Sequence, residues 1–246
     1  MQIELFRFPG SNACTIVERL LDYHQLPWQA RQLRAGLHPF SLRRAGFAKP
    51  TAPAALIDGE RVQGSIPICR TIADAHPELG LLPADRPLRR RTVDAEATGE
   101  QLQTAARRLL WVLAQRDQTT VAPMVAANYA GVPAPLRRLL TRGLTVGASR
   151  FHSADPAQID QYLVAIAEVL ARCDAWVQDG TLARETPTVA DFQFGPSLAA
   201  LACDAALGAA LRARPLWRVA ELACPRYPVA ISLDLPEAWR KRLLAG

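Results

Sequence analysis

The spacing of apolar residues changes about a third of the way along the chain. Over the first 80 residues or so, short apolar runs alternate with stretches of helical spacing, and this pattern predicts the element order βαβ(α)ββα. From about Leu88 to Cys224, only helical spacing is found. The change of period predicts a small α/β unit followed by an all-α unit.

Local signals support each element of the first part. Asp58-Gly59 is a typical hairpin turn pair between two short runs. Ser65 is predicted to cap a helix that carries Pro67 in its first turn. The segment PFSLRRAG is interpreted as a short helical or irregular piece. The predicted strands are IELFRF, WQARQL, PAALID and ERVQ, and the predicted helices are NACTIVERLLDYHQ and SIPICRTIADAHP.

A segment rich in proline and glycine, PELGLLPADRP, separates the two parts. We predict a first domain over 1–78, a linker over 79–87 and a helical domain over 88–246. The tail from residue 225 is expected to pack over the surface. The helical domain is predicted to contain LRRRTVDAEATGEQLQTAARRLLWVLAQ, VAPMVAANYA, PLRRLLTRGLTVGASR, DPAQIDQYLVAIAEVLARCDAWVQDG, TVADFQFGPSLAALAC and LGAALRARPLWRVAELAC as one helix each.

The composition indicates the cellular location of the protein and the partners to expect. The 246 residues are half apolar, which is enough for a sizeable core, and no apolar run reaches the length of a membrane helix. The N-terminus lacks the basic start of a signal peptide, and the five cysteines form neither a CxxC pair nor a zinc-like cluster with histidine. These features favour a reduced cytoplasmic location, with no membrane partner and no metal.

The net charge of +6 is carried almost entirely by arginine. The arginines are scattered, apart from the run Arg89 to Arg91, which is interpreted as a solvated helix start. We therefore predict no nucleic-acid partner, although a basic surface attracts anions in general.

The segment GSNACTIV places a serine and a cysteine where a predicted strand passes into a helix. The N-terminus of a helix stabilises an anion, and a hydroxyl that donates to a thiolate lowers the pKa of the thiol. Ser11 is placed to do this for a bound thiol, or it is a plain N-cap. Cys14 is a buried hydrophobe, or it is itself a redox thiol. The other four cysteines are expected to be inert core residues.

Four motifs carry a resemblance to a known family. They are the strand–Ser11-x-x-Cys14–helix corner, TAPAAL with Pro53 as a possible cis-proline, Gly64-Ser65 opening a helix, and Thr188-Val-Ala-Asp191, whose pattern is that of a capping box. With them, the chain resembles the cytosolic glutathione transferases, most closely the theta-type members with a catalytic serine.

The resemblance implies a thioredoxin-like α/β domain and an all-helical domain, and a homodimer. It implies a bound glutathione thiolate that attacks a small hydrophobic electrophile or reduces a peroxide, with glutathione as the co-substrate. Ser11 would be catalytic, and Asp191 would be structural. The resemblance places glutathione against His38, Ala52, Pro53, Gly64 and Ser65, and the electrophile against Arg107, Trp111 and Tyr129.

One departure from the family pattern bears on function. Gly64 stands where the family has an acidic residue that helps to hold the γ-glutamyl end of glutathione. Two alternatives therefore stay open: a non-catalytic binding protein on the same fold, and a thiol–disulfide reductase that uses Cys14. Pocket specificity rests on scattered side chains, so the sequence does not name the electrophile.

Overall fold

The computed structural model describes residues 1–245 and contains one four-stranded sheet followed by a large helical region. The strands lie in the order β2-β1-β3-β4. Strand β1 is parallel to β2 and antiparallel to β3, and β3 and β4 form the predicted hairpin. This sheet confirms the thioredoxin-like prediction. The strands are β1 Ile3–Arg7, β2 Trp28–Gln32, β3 Ala54–Ile57 and β4 Glu60–Gln63.

Three helices accompany the sheet, and eight follow it along the chain. The helices of the first part are α1 Asn12–Tyr23, α2 His38–Arg44 and α3 Ser65–Ala75. The remaining helices are α4 Arg86–Arg116, α5 Ala122–Asn128, α6 Ala134–Phe151, α7 Ile159–Gln178, α8 Val189–Leu201, α9 Ala205–Arg212, α10 Trp217–Ala223 and α11 Glu237–Leu244.

Helix α8 is the centre of the packing. Its residues are buried on almost every side, and it contacts α1 and α3 as well as α4 and α10. The Asp191 carboxylate accepts hydrogen bonds from the Thr188 N–H (2.7 Å), the Thr188 hydroxyl (2.8 Å) and the Ala183 N–H (2.6 Å). These bonds occupy donors that would otherwise be buried without partners, which confirms the structural role predicted for Asp191.

Ion pairs also link elements that are distant in sequence. Arg7 on β1 forms a two-pronged pair with Glu18 on α1, with N···O distances of 2.5 and 2.8 Å. The Arg70 Nε on α3 lies 2.8 Å from the Glu96 carboxylate on α4, so this pair joins the first part of the chain to the helical part. A partly buried pair of this kind loses less to solvent screening than an exposed one.

Three predictions about local structure are wrong. Gly64, not Ser65, is the N-cap of α3. The segment predicted as one helix from Leu207 to Cys224 breaks into α9 and α10, because proline lacks an N–H and disfavours helical geometry in the preceding residue. Asp174 holds this break by accepting hydrogen bonds from the Arg214 side chain and the Leu216 N–H.

The third wrong prediction concerns the tail. Instead of lying over the surface, it buries Tyr227 and contributes Leu235, Trp239 and Leu243 to the main helical core. Trp239 and Leu243 are four residues apart in α11, which brings them onto one face of that helix, and Leu235 joins the same core from the segment before it. A further expectation is wrong in part: Cys203 lies in the turn after α8 and is partly exposed, whereas the other four cysteines are buried.

Candidate active site

A cavity of about 500 Å³ lies between the loops of the sheet and the helical region. One wall is formed by the segments that follow β1 and β2 and by the segment that precedes β3. The other wall is formed by α4, α5, α6 and part of the tail. This volume is in the usual range for small-molecule sites. Of the residues proposed from sequence, the cavity brings together Ser11, His38, Ala52, Arg107 and Trp111.

Ser11 occupies the corner between β1 and α1. Gly10 precedes it with a φ of 78°, a left-handed conformation that glycine adopts without strain, and this turn brings the chain into α1. The Ser11 Oγ accepts a long hydrogen bond from the Cys14 N–H, at 3.4 Å. Among residues 1–245 the Ser11 hydroxyl lies beside the Cys14 thiol and donates to no carbonyl or carboxylate oxygen, so its proton can turn toward a ligand in the cavity.

The first turn of α1 faces the same cavity. Asn12 and Ala13 line it beside Ser11. The first N–H groups of a helix have no acceptor within the helix and carry partial positive charge. The corner therefore offers a hydroxyl donor and a helix N-terminus to an anion, which is the combination that lowers the pKa of a bound thiol.

Three side chains from the helical region hold this corner in place. The Tyr227 hydroxyl donates to the Gly10 carbonyl at 3.0 Å, and the Asn128 Nδ2 donates to the Pro9 carbonyl at 2.8 Å. The Asn12 Nδ2 donates to the Ser197 Oγ at 2.9 Å. The corner is therefore positioned from both parts of the chain.

Cys14 is sealed from the cavity. Its exposure is 0 %, and burial raises the pKa of its thiol to about 11, with the nearby Ser11 hydroxyl acting in the opposite direction. At that pKa only about one molecule in ten thousand carries the thiolate at pH 7. The geometry favours the interpretation of Cys14 as a buried hydrophobe over its interpretation as a redox nucleophile.

His38 begins α2 and reaches the cavity beside Phe8, with the two rings 5.2 Å apart. Burial lowers the pKa of His38, so the ring is neutral at pH 7. The Gly36 N–H donates to the His38 Nδ1 at 3.3 Å, which places the ring proton on Nε2. His38 can therefore donate one hydrogen bond to a carboxylate.

The peptide bond between Ala52 and Pro53 is cis, as the resemblance implies. The Gly64 N–H donates to the Pro53 carbonyl at 2.9 Å, and this bond brings the start of α3 beside the Ala52-Pro53 segment. Ser65 is 7 % exposed, and its hydroxyl makes no hydrogen bond within residues 1–245. Pro53, Gly64 and Ser65 flank the cavity in this way without being among its lining residues.

Gly64 has a φ of 106°, where a side chain is strained. A Cβ at this position would also lie 3.3 Å from the Pro67 Cδ. The local backbone thus suits glycine, and no acidic side chain stands at this position.

The helical wall carries Arg107, Trp111 and His152. Burial, together with the nearby Arg107, His38 and Arg108, lowers the pKa of His152 to about 4, so the His152 ring is neutral at pH 7. Tyr129, expected on this wall, instead donates its hydroxyl to the Ala35 carbonyl.

Sequence reasoning missed Tyr227, Asn128 and His152. Tyr227 and Asn128 bond to Gly10 and Pro9, which lie far from them along the chain, and none of the three residues belongs to a motif with a recognisable spacing. Within residues 1–245 no group of three or more His, Cys, Asp or Glu side chains is arranged to hold a metal ion. In the same range, no helix has the length and apolar character needed to cross a membrane.

Comparisons with known proteins identify the fold. Residues 5–80 match the family model of the glutathione S-transferase N-terminal domain. No curated protein sequence matches the chain. Solved structures extend the similarity to nearly the whole chain, at identities that show the fold alone.

Three of these structures are glutathione transferases. One is from Methylobacterium radiotolerans, in complex with glutathione sulfonate, with 18 % identity over 96 % of this chain and 99 % of that one, and a TM-score of 0.59. Poplar glutathione transferase F1 has 17 % identity over 99 % and 97 % of the two chains, with a TM-score of 0.55. The enzyme from the Antarctic clam Laternula elliptica has 12 % identity over 90 % and 87 %, with a TM-score of 0.54. The chain therefore has the glutathione transferase fold.

Proposed function

We propose that this protein is a glutathione transferase of the theta-like, serine type. Ser11 stabilises the thiolate of bound glutathione, and the thiolate attacks a small hydrophobic electrophile held against the helical wall. A bond forms between sulfur and the electrophilic carbon, and the leaving group departs with its electron pair. The observation that carries the proposal is the position of the Ser11 hydroxyl, which lies in the cavity at a helix N-terminus beside a cysteine that is sealed.

The peptide part of glutathione would lie along the sheet side of the cavity. The Ala52 backbone before cis-Pro53 would pair with the peptide, and the Ser65 hydroxyl and α3 N-terminus would receive the γ-glutamyl carboxylate. The neutral His38 ring would donate to the glycine carboxylate. The complex of the Methylobacterium radiotolerans protein with glutathione sulfonate supports a glutathione site on this fold.

Titration calorimetry with glutathione tests the site. We expect binding in the micromolar to low millimolar range, about −8 to −4 kcal/mol. The Ser65→Ala variant should lose this binding, whereas Thr71→Ala, on the exposed side of the same helix, should retain it. The absence of heat at several millimolar glutathione, at more than one temperature, would overturn the proposal.

The role of Ser11 needs a separate measurement. The ultraviolet absorbance of the thiolate, followed against pH in the complex, gives the pKa of bound glutathione. We expect Ser11→Ala to raise this pKa by about one to two units and to slow conjugation about tenfold to a hundredfold. An unchanged pKa in Ser11→Ala would contradict the assignment of Ser11.

A second function is favoured by one observation. Gly64 removes the acidic contact to the γ-glutamyl end, which suits a binding protein that holds a thiol or another ligand without turnover. Saturable glutathione binding without conjugation or peroxide reduction, over a panel of electrophiles, would support this function instead. Peroxide reduction is the second form of the proposed chemistry. The thiolate attacks a peroxide oxygen, the O–O bond breaks and the other oxygen leaves as an alcohol or water. A second glutathione then attacks the resulting sulfenic acid, which gives the disulfide and water.

Assembly and location belong to the same proposal. Helix α6 exposes Leu139, Val146 and Phe151, and a homodimer would cover an apolar face of this kind. Sedimentation equilibrium should give a dimer mass for the wild type and a monomer mass for Leu139→Glu; a monomeric wild type would refute the dimer. The five free cysteines support a cytoplasmic location.

A further inference from the structure

Helix α2 presents two large apolar side chains to solvent at the rim of the cavity. Phe40 is 73 % exposed, the highest value among the large apolar residues of the described chain, and Leu37 is 58 % exposed. The Ser41 N–H donates to the Leu37 carbonyl at 3.3 Å, so the first helical turn is formed and these two side chains, three residues apart, are neighbours. Leu42 is the residue of α2 that is buried. Leu37 and Phe40 therefore form an apolar face that nothing in residues 1–245 covers.

Positive charge surrounds this apolar face. Residues 23–57 contain no Asp or Glu. Arg43 and Arg44 follow Phe40 by three and four residues, which brings them beside it on the helix. Both are exposed, and neither forms an ion pair within residues 1–245. We call Leu37, Phe40, Arg43 and Arg44 the rim face.

Strand β4 adds a further arginine on the same side of the sheet. The Arg61 Nε donates to the Ala45 carbonyl at 2.9 Å, just beyond the end of α2. Glu60 precedes Arg61, and successive side chains of a strand point to opposite faces of the sheet. Val62, which shares the side of Glu60, packs against the core formed with α1 and α3. Glu60 therefore points away from the rim face, whereas Arg61 adds to its charge.

These properties fit the surface of an anionic lipid bilayer. Phenylalanine and leucine side chains bury in the zone between headgroups and acyl chains, and arginine binds phosphate through paired hydrogen bonds. A negatively charged leaflet also attracts each cation that comes near it. Docking of this kind needs no spanning helix. The expectation of no membrane partner rested on the length of apolar runs, so it does not bear on a docked protein.

The rim face is joined to the cavity by its own chain. His38 and Pro39, which lie between Leu37 and Phe40 in sequence, line the cavity. A bilayer that contacts the rim face therefore lies beside the cavity, and apolar molecules concentrate in bilayers. We propose that the rim face docks this protein on anionic lipid bilayers, from which apolar acceptors reach the cavity. The docking goes beyond the proposed function and does not require bound glutathione.

Co-sedimentation with vesicles tests the proposal without turnover. One set of vesicles is phosphatidylcholine alone, and the other contains about one-third phosphatidylglycerol. We expect the wild type to bind the anionic vesicles at least about tenfold more tightly than the neutral ones. Salt at about 1 M should remove most of this preference, because it screens the charges.

Two variants of the rim face separate its apolar and charged parts. Phe40→Ser should weaken binding to anionic vesicles about tenfold, because the buried aromatic surface is lost. The double change Arg43→Gln with Arg44→Gln should weaken it at least about tenfold and bring it near the value for neutral vesicles. Equal binding of the wild type to both vesicle types, or unchanged binding in both variants, would overturn the proposal.

Matched controls lie elsewhere on the surface. Arg90→Gln removes an exposed arginine from α4, and Val164→Ser removes an exposed apolar side chain from α7. Both should bind anionic vesicles within about twofold of wild type. A loss in Arg90→Gln as large as that in the rim variant would show a general charge effect and refute the rim face. Circular dichroism would confirm that each variant is folded.

The same variants exclude other occupants of the rim face. Sedimentation equilibrium should give the same mass for Phe40→Ser as for the wild type. A lower mass in Phe40→Ser would assign the face to a second copy of the chain and would contradict the proposal. Retention of the protein on a polyglutamate resin, without binding to anionic vesicles, would assign it to an acidic protein instead and would likewise contradict the proposal.

Discussion

The two walls of the cavity are built by different means. On the sheet side, turns and helix starts present hydroxyls and backbone groups, as at Ser11, Ala52 and the start of α3. On the helical side, large side chains such as Trp111 fill the space, and Arg107 adds a single charge. A wall of backbone groups recognises a peptide of fixed shape, whereas a wall of side chains can change its ligand by substitution. We infer that the first wall sets the co-substrate and the second sets the acceptor.

The largest expected effect is a loss of folding stability that disturbs both walls of the cavity. Asp191→Ala leaves the Thr188 N–H, the Thr188 hydroxyl and the Ala183 N–H buried without an acceptor, beneath the helix that supports α1 and α4. We expect the free energy of unfolding to fall by about 3 kcal/mol or more, measured by urea denaturation. Asp191→Asn keeps one acceptor oxygen and should lose less. A loss below about 1 kcal/mol in Asp191→Ala would contradict the role of this carboxylate.

The next largest effect is a pH-dependent loss of folding stability that arises from His152 in the helical wall. The pKa of His152 is about 4 in the folded protein and near its usual value of 6.5 in the unfolded chain. The unfolded state therefore binds more protons between these values, and stability falls as the pH drops from about 6.5 to 4.

Because His152 is partly exposed, its share of this loss is on the order of 2 kcal/mol. Denaturation curves recorded from pH 7.5 to 4.5 should show a shallower pH dependence for His152→Gln than for the wild type. His76→Gln, which alters an exposed pair with Glu78, is the matched control. Equal slopes for His152→Gln and wild type would refute the lowered pKa of the partly buried ring.

A smaller effect tests whether the two walls bind their ligands independently. Trp111→Ala removes an aromatic surface from the helical side alone. We expect the affinity for 2-naphthamide to weaken roughly tenfold, while the glutathione affinity changes less than about twofold, both measured by calorimetry. Parallel losses for the two ligands would show that the walls do not act separately.

The smallest expected effect concerns Cys14. Cys14→Ala should leave conjugation within about twofold of wild type, because the sealed thiol with a pKa of about 11 does not reach the cavity. Reaction of the wild-type protein with iodoacetamide near pH 6 should likewise leave Cys14 unmodified, as read by mass spectrometry. Rapid labelling of Cys14, with loss of activity in the alanine variant, would restore the reductase interpretation.

Sequence patterns predicted the regular elements well and the connections between them less well. The alternation over the first 80 residues or so, the long helix α4 and the corner at Ser11 rest on local spacing, and local spacing is what a sequence displays. The break at Pro215 has a local signal that the apolar spacing around it obscured. Tyr227 and Asn128 have no such signal, because their partners Gly10 and Pro9 are brought to them only by the packing of distant helices.

The hydrogen bond from Tyr227 to Gly10 also bears on the order in which parts of the chain fold during synthesis. The first strands and helices leave the ribosome early and can begin to pack while synthesis continues. Tyr227 follows Gly10 by 217 residues, so it is synthesised long after the corner. The corner therefore lacks this hydrogen bond while the intervening residues are made, and it takes its final position only after Tyr227 has joined the chain.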